Sequence, residues 1–255
     1  STTGQYKAIK SGGAPLGSWA SGGALNEERY GAFGFGIQTA AIVATGFLPP
    51  PTTNAEQYDG STWSQIADVN TQRELGGACG TTSEGLIFGG SPGDNKVDTE
   101  KWNGTSWTET TEINTARFGL FSTGSNTDAI AFGGKITALS PLAETWDGSS
   151  WTETGDLNQA RYQLGGSGSS STVALAFGGA TAPTSSSYAQ TENWDGSSWT
   201  EVADLATARA AGAAAGTSTT SALYASGTTD GGTTIPTQTE EFTANDFLIK
   251  TVTTS

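Results

Sequence analysis

The sequence predicts an all-β protein, a β-propeller of five four-stranded blades whose ring is closed by a terminal strand. Three observations predict this fold. A repeat of 44 to 48 residues runs through the chain, each repeat holds four short strand-like segments, and tight-turn signals join the last two of them. A helical alternative fails, because Gly, Ser and Thr dominate every window and no apolar period of 3.6 residues is present.

Arginine, tryptophan and glutamate mark the repeat. Each arginine lies ten residues after a tryptophan, and we expect the blades to begin near the arginines. The arginines are Arg29, Arg73, Arg117, Arg161 and Arg209, and the tryptophans before them are Trp19, Trp63, Trp107, Trp151 and Trp199. Glutamate recurs two residues before an aromatic residue, at Glu56, Glu100, Glu144, Glu192 and Glu240. These two spacings hold in all five repeats, which predicts five equivalent blades.

Each repeat divides into four predicted strands, a to d. Strand a runs from the arginine through a Gly/Ala-rich stretch, which suits the crowded centre of a small ring. Strand b is an apolar run that ends in glycine, strand c carries Glu-x-aromatic, and strand d begins at the next tryptophan. Dipeptides that accept positive φ predict tight c–d hairpins. They are Asp59-Gly60, Asn103-Gly104, Asp147-Gly148 and Asp195-Gly196.

One domain accounts for the chain length. We expect the propeller over residues 19–246, an N-terminal closing or docking strand within 1–18, and a C-terminal strand or tail at 247–255. Trp19 and Phe247 both match the start of a strand d. The other four d strands begin at the remaining repeated tryptophans, so the ring has room for only one more. We favour closure by the N-terminal strand, because Trp19 matches its column better. The reverse arrangement stays open.

Composition excludes several function classes. The chain has no histidine, no methionine and one cysteine, Cys79, so we expect no metal site, no cofactor and no intrachain disulfide. A net charge of −14 makes nucleic acid and anionic lipid poor partners. No apolar run approaches the ~20 residues of a membrane span, and the N-terminus lacks signal-peptide features, so membrane insertion is not expected.

The repeated charges have two interpretations. The five arginines could form a cationic ring at the channel mouth, or each could pair with a strand-c glutamate and seal the blades. Equal numbers of the two residues favour pairing, so we interpret both columns as structural. Tryptophans can stack on sugars, but at fixed repeat positions we expect them to pack between blades.

Variable loops predict the binding face. In a propeller the d–a and b–c connections share one face, and here the d–a segments are uniform whereas the b–c segments differ. Recognition is usually placed on variable loops over a constant scaffold. The candidate contact residues lie in these loops, outside the repeated columns: Phe47, Leu48, Pro50, Lys96, Lys135 and Tyr188.

The amino-acid sequence of the repeats resembles that of a known family. Strand b ends in Phe88-Gly89-Gly90, and the same triplet recurs in the third and fourth repeats, so residues 19–250 resemble the Kelch repeat. Blades 1 and 5 depart from it, with Thr45-Gly46 and Ser226-Gly227 in place of the Gly pair. The wording of Thr191–Thr200 and Asp156–Arg161 resembles Kelch-like proteins of marine bacteriophages, notably cyanophages, which are associated with the virion.

The resemblance implies a non-enzymatic virion protein, made in the host cytoplasm: a head decoration, tail or host-attachment module. Its implied partners are other virion proteins, bound through a propeller face or the termini, and a symmetric oligomer on the particle stays open. One alternative is a carbohydrate-binding adhesin that holds a host surface glycan with the b–c loops. Another is a glycan-cleaving enzyme, although no carboxylate pair outside the repeated columns stands out.

Overall fold

The computed structural model describes residues 21–47, 49–91, 95–181, 186–230, 234 and 237–244. These residues form nineteen strands in five antiparallel sheets and contain no helix. No helix in this part of the chain could therefore span a membrane. The sheets are the five predicted blades, so the propeller fold is confirmed.

Each blade is a meander in which the chain steps from the innermost to the outermost strand. Blade 1 contains β1 (Phe33–Ile37), β2 (Ala40–Ala44), β3 (Ala55–Tyr58) and β4 (Trp63–Gln65). Blade 2 contains β5 (Gly77–Gly80), β6 (Gly85–Phe88), β7 (Thr99–Trp102) and β8 (Trp107–Thr110). Blade 3 contains β9 (Phe121–Gly124), β10 (Ala129–Phe132), β11 (Ala143–Trp146) and β12 (Trp151–Glu153). Blade 4 contains β13 (Gly165–Ser170), β14 (Val173–Phe177), β15 (Thr191–Trp194) and β16 (Trp199–Glu201).

Blade 5 has three strands in the described part of the chain: β17 (Ala213–Ala215), β18 (Ser221–Ala225) and β19 (Thr239–Thr243). Its fourth strand was predicted to start at Trp19 or Phe247. Both residues, and the segments 1–18 and 247–255, lie outside the described residues. Which terminus closes the ring therefore stays a prediction.

Small residues let the innermost strands pack side by side around the axis. Strand β1 contacts β5, β5 contacts β9, β9 contacts β13, and β13 contacts β17. A Cβ on Gly76, just before β5, would lie 2.5 Å from the Phe33 ring of blade 1 and from the carbonyl of Phe88. Such distances leave no room for a side chain, which explains the glycine there.

Tryptophans fill the spaces between blades. Between blades 1 and 2, Trp102 and Trp107 pack with Phe33, Phe35 and Ile87, and the rings of the two tryptophans lie 5.1 Å apart. The Trp107 indole donates a hydrogen bond to the Ala67 carbonyl of the preceding d–a segment at 3.0 Å. Equivalent tryptophan clusters join blades 2 to 3 and 3 to 4, and a cluster without tryptophan joins blades 4 to 5. The repeated tryptophans therefore stabilise the fold.

The junction between blades 5 and 1, called the seam below, is more open. Leu175 of blade 4 faces blade 5 and is fully buried, whereas the equivalent Leu223 of blade 5, which faces blade 1, is only half-buried. On the other side, Val43 of blade 1 is half-buried, while the equivalent Ala131 and Ala176 of blades 3 and 4 are fully buried. Within the described ranges, no hydrophobic cluster bridges the seam.

Candidate functional site

A buried ion pair anchors the start of every blade. Its five arginine–glutamate distances run from 2.7 to 2.9 Å, and the pairs are Arg29–Glu56, Arg73–Glu100, Arg117–Glu144, Arg161–Glu192 and Arg209–Glu240. In blade 2, Arg73 Nη2 donates to Glu100 Oε1, and Nη1 donates to the Asp98 carbonyl at 2.9 Å. Burial lowers the pKa of the Arg73 guanidinium, and the charge of Glu100 opposes that shift. These arginines are committed to the scaffold and are not presented to a ligand.

An asparagine completes four of the five pairs. The main-chain N and Nδ2 of Asn70 both donate to Glu100 Oε2 at 2.8 Å, and Nδ2 also reaches the Trp107 carbonyl. The same arrangement recurs at Asn26, Asn114 and Asn158. Blade 5 has Ala206 there, which offers its main-chain N–H alone. The Asn-x-x-Arg spacing is visible in the sequence, although the sequence analysis assigned it no role.

Residues two positions after each arginine form a hydrogen-bonded mouth ring around the channel: Gly31, Leu75, Gly119, Gln163 and Ala211. All five adopt positive φ, between 51° and 64°. The N–H of each later member donates to the carbonyl of the member before it, at 2.6 to 2.8 Å, which gives four links between five blades. These residues and their successors line a cavity of about 330 Å³ at the channel mouth.

The residue directly after each arginine immediately precedes a member of the mouth ring. Each exchanges two main-chain hydrogen bonds with the first residue of its own b–c loop, except that one of the Tyr162 bonds is long, at 3.5 Å. The pairs are Tyr30–Phe47, Glu74–Ser91, Phe118–Lys135, Tyr162–Ala180 and Ala210–Thr228. We call these ten residues the rim. Rim side chains differ from blade to blade on a scaffold that repeats.

Aromatic side chains dominate two parts of the rim. Tyr30 is 62% exposed, and its ring lies 5.1 Å from that of Phe47. Across the channel mouth, the half-buried Phe118 packs edge-on against the buried Tyr162 at 6.3 Å, and Lys135 Nζ lies 5.6 Å from the centre of the Tyr162 ring. Aromatic faces with a nearby cation or amide can bind apolar side chains or sugar rings.

The rim also carries one acidic side chain. Glu74 lies against Gly31 of the neighbouring blade, where a Cβ on the glycine would stand 3.2 Å from Glu74 Oε2. Burial raises the pKa of the Glu74 carboxyl. This carboxyl gives the blade 1–2 side of the mouth a polar contact between the two aromatic parts of the rim.

The structure divides the candidate contact residues. Phe47 and Lys135 belong to the rim, whereas Pro50 is exposed at the tip of the first b–c loop. Leu48 lies outside the described residues. Lys96 is half-buried, and its N–H donates to the Gly90 carbonyl at 2.7 Å. The Tyr188 hydroxyl accepts a hydrogen bond from Gln159 at 2.9 Å.

Sequence reasoning missed the five rim residues that directly follow the arginines: Tyr30, Glu74, Phe118, Tyr162 and Ala210. Their signal was the variable position directly after each repeated arginine, within a segment interpreted as uniform scaffold.

Metal-ligating side chains and the single cysteine are the remaining candidates for a chemical site in the described part of the chain. No group of three or more metal-ligating side chains comes together there. Cys79 is buried between blades 2 and 3, and burial raises the pKa of its thiol to about 12. This cysteine is therefore a packing residue.

Comparisons with known proteins support the architecture. No protein-family model and no curated protein matches the chain. Solved structures do match, among them one described as "Structure of YjhT", with a TM-score of 0.66 at 14% sequence identity. The match covers 79% of this chain and 73% of that chain. At this identity the likeness shows the fold alone, so both chains are β-propellers.

Proposed function

We propose that this protein is a non-enzymatic structural and adhesion component of a phage particle, serving as a head decoration, tail or host-attachment module. It binds a neighbouring virion protein through the face that carries the rim and the b–c loops, which we call the loop face. The supporting observation is the contrast between a repeated scaffold and a varied rim. A network that recurs from blade to blade holds the backbone constant, while residues such as Tyr30, Glu74 and Lys135 differ at equivalent positions.

The chemistry of the loop face suits a protein partner. Tyr30, Phe47 and the exposed Pro49–Pro50 tip form an apolar patch on blade 1. Aromatic residues are enriched at the centres of protein–protein interfaces, where each can contribute ~2 kcal/mol or more to binding. The proposed place in the virion is supported by the resemblance between the repeat sequences of this chain and those of Kelch-like phage proteins.

A second candidate is a carbohydrate-binding adhesin. It is favoured by the half-buried Phe118 and by Lys135, which lie on the loop face against the buried Tyr162 ring. The hydrogen bond between Gln159 and Tyr188 adds an amide on the same side of the molecule. Such a combination suits a sugar ring, which offers apolar faces and hydroxyl groups.

Mass spectrometry of purified phage particles tests the location. The protein should be present in intact particles at a constant copy number relative to the major capsid protein. Its absence from particles, with secretion from a cell instead, would overturn the virion proposal.

Two surface variants test the loop face. Tyr30→Ala removes an exposed aromatic side chain from the rim, whereas Ile37→Ala removes a side chain that is 68% exposed on the opposite face. We expect Tyr30→Ala to reduce incorporation into particles about tenfold or more, because ~1.4 kcal/mol of lost contact corresponds to that factor. Ile37→Ala should be incorporated normally. The reverse pattern would place the docking surface on the other face.

A further inference from the structure

The mouth ring lacks one link, at the seam. Four hydrogen bonds connect its five members, and none joins Gly31 to Ala211 in the described part of the chain. The Gly31 N–H therefore has no protein acceptor there, and the Ala211 carbonyl has no protein donor. Both residues line the cavity at the channel mouth, so an entering ligand meets a hydrogen-bond donor on one side and an acceptor on the other.

The pattern of donor and acceptor defines what can complete the ring. Leu75, Gly119 and Gln163 each contribute an N–H to one neighbour and the carbonyl of the same residue to the next. A sixth residue placed in the open link would donate its N–H to Ala211 and accept from Gly31 with its carbonyl. One peptide residue supplies both groups, its own N–H and its own carbonyl, and a lone hydroxyl or carboxylate would match the pair less well.

The cavity walls define the side chain. Its lining includes Ala32, Leu75, Leu120 and Leu164, and Gln163 carries the one polar side chain among the lining residues. No charged side chain lines it. A neutral, apolar side chain is therefore favoured inside the cavity, because a charged group there would lose its hydration and find no charged partner in the cavity wall.

We propose that the open link is a seat for one residue of a partner protein, whose main chain completes the mouth ring and whose apolar side chain enters the cavity. The proposal rests on the proposed function, since it assigns the partner of the loop face. The partner is a different protein rather than a second copy, because two chains of net charge −14 repel each other. The exposed Tyr30, directly before Gly31, then packs against the residues that flank the inserted one.

Nuclear magnetic resonance of the full-length ¹⁵N-labelled protein tests the seat. The probe is N-acetyl-leucine N-methylamide, which carries the required N–H and carbonyl on one apolar residue. Its control is the ester analogue in which oxygen replaces the leucine N–H. The amides of Leu75, Gly119 and Gln163 serve as internal references, because each already donates within the ring.

We expect the amide probe to shift the Gly31 resonance more than the three reference resonances and to slow hydrogen exchange at Gly31. The ester should bind about tenfold more weakly, since it leaves the Ala211 carbonyl without a donor. The proposal would be overturned if the Gly31 resonance did not change, or if the amide and the ester shifted it equally. A shift caused by an N-acetylglucosamine oligomer but not by the peptide probe would reject a protein partner.

This test is independent of the particle experiment. If the protein is absent from virions while Gly31 responds as expected, the virion role fails and the peptide seat stands. If the protein is present in virions while the Gly31 resonance does not change, the peptide-binding proposal fails and the virion role stands.

Discussion

Each blade begins with a buried guanidinium in a hydrogen-bonded network that joins strand c to the preceding d–a segment. In blade 2, Arg73 reaches Glu100 in strand c, and Asn70 ties the same carboxylate to the preceding d–a segment. A buried charge is tolerated only when it is paired and hydrogen-bonded, so every member of the network depends on the others. The five-fold recurrence of arginine and glutamate predicted the pairing. The asparagine recurs in four repeats only, with Ala206 in the fifth, and it was given no role.

Loss of one guanidinium should destabilise the whole protein. Arg73→Ala leaves Glu100 buried without its cation, and we expect the free energy of unfolding to fall by about 3–5 kcal/mol. Urea denaturation measures this change. Gln72→Ala, at the exposed neighbouring position, is the matched control and should leave the midpoint unchanged. An Arg73→Ala midpoint equal to wild type would refute the structural role of the pair.

Blade 5 offers the opposite experiment. Ala206→Asn introduces the amide that the other four blades use, and it should donate to Glu240, which already accepts from the Ala206 N–H. One added hydrogen bond to a carboxylate should raise the free energy of unfolding by about 1 kcal/mol. Ala203→Asn, in the same d–a segment, provides the comparison variant. If Ala206→Asn raises the free energy of unfolding no more than Ala203→Asn does, the role given to the repeated asparagine is wrong.

At the scale of elements, the c–d hairpins are held by their own first residue. In blade 3, Asp147 accepts hydrogen bonds from the main-chain N–H groups of Ser149 and Ser150 at 2.8 Å, and from the Ser149 hydroxyl. These bonds hold the pKa of the Asp147 carboxyl well below its ordinary value. In blade 2, Asn103 accepts equivalent bonds from Thr105 and Ser106 without a charge. The Asp-Gly and Asn-Gly dipeptides were therefore read correctly as turns.

The Asp147 hairpin should be sensitive to acid. Because its pKa is depressed in the folded state, its contribution to stability is complete above the unfolded pKa of about 4 and is lost as pH falls toward the folded value. Asp147→Asn keeps the acceptor oxygen, as Asn103 shows, and should remove this share of the acid sensitivity. Thermal melts between pH 7 and pH 3 measure it. A variant whose loss of stability below pH 4 equals that of wild type would contradict the assignment.

At the scale of the whole molecule, the repeat predicted the number of blades, their strand order and their buried faces. It could not predict the contacts at the mouth, because the positions there recur after each arginine while their side chains differ from blade to blade. Phe118 and Tyr162 lie 44 residues apart in the sequence and meet only when neighbouring blades pack. The open link between Gly31 and Ala211 is likewise invisible in a sequence whose repeats are equivalent.

Entry into blade 1 bears on the predicted ring closure. The Trp63 indole donates to the Gly23 carbonyl at 3.1 Å, just as Trp199 donates to the Gly155 carbonyl that follows strand β12. Gly23 thus takes the place of a residue that follows an outermost strand. This equivalence supports the prediction that the N-terminal segment closes blade 5.

If the protein acts as proposed, the loop face and not the opposite face contacts the partner. Lysine cross-linking of intact phage particles, read by mass spectrometry, distinguishes the two faces. Lys96 and Lys135 lie on the loop face, whereas Lys101 lies beside the c–d turn of the next blade, where its Nζ donates to the Gly148 carbonyl. We expect cross-links from Lys96 and Lys135 to another virion protein and none from Lys101. Cross-links from Lys101 alone would contradict the account.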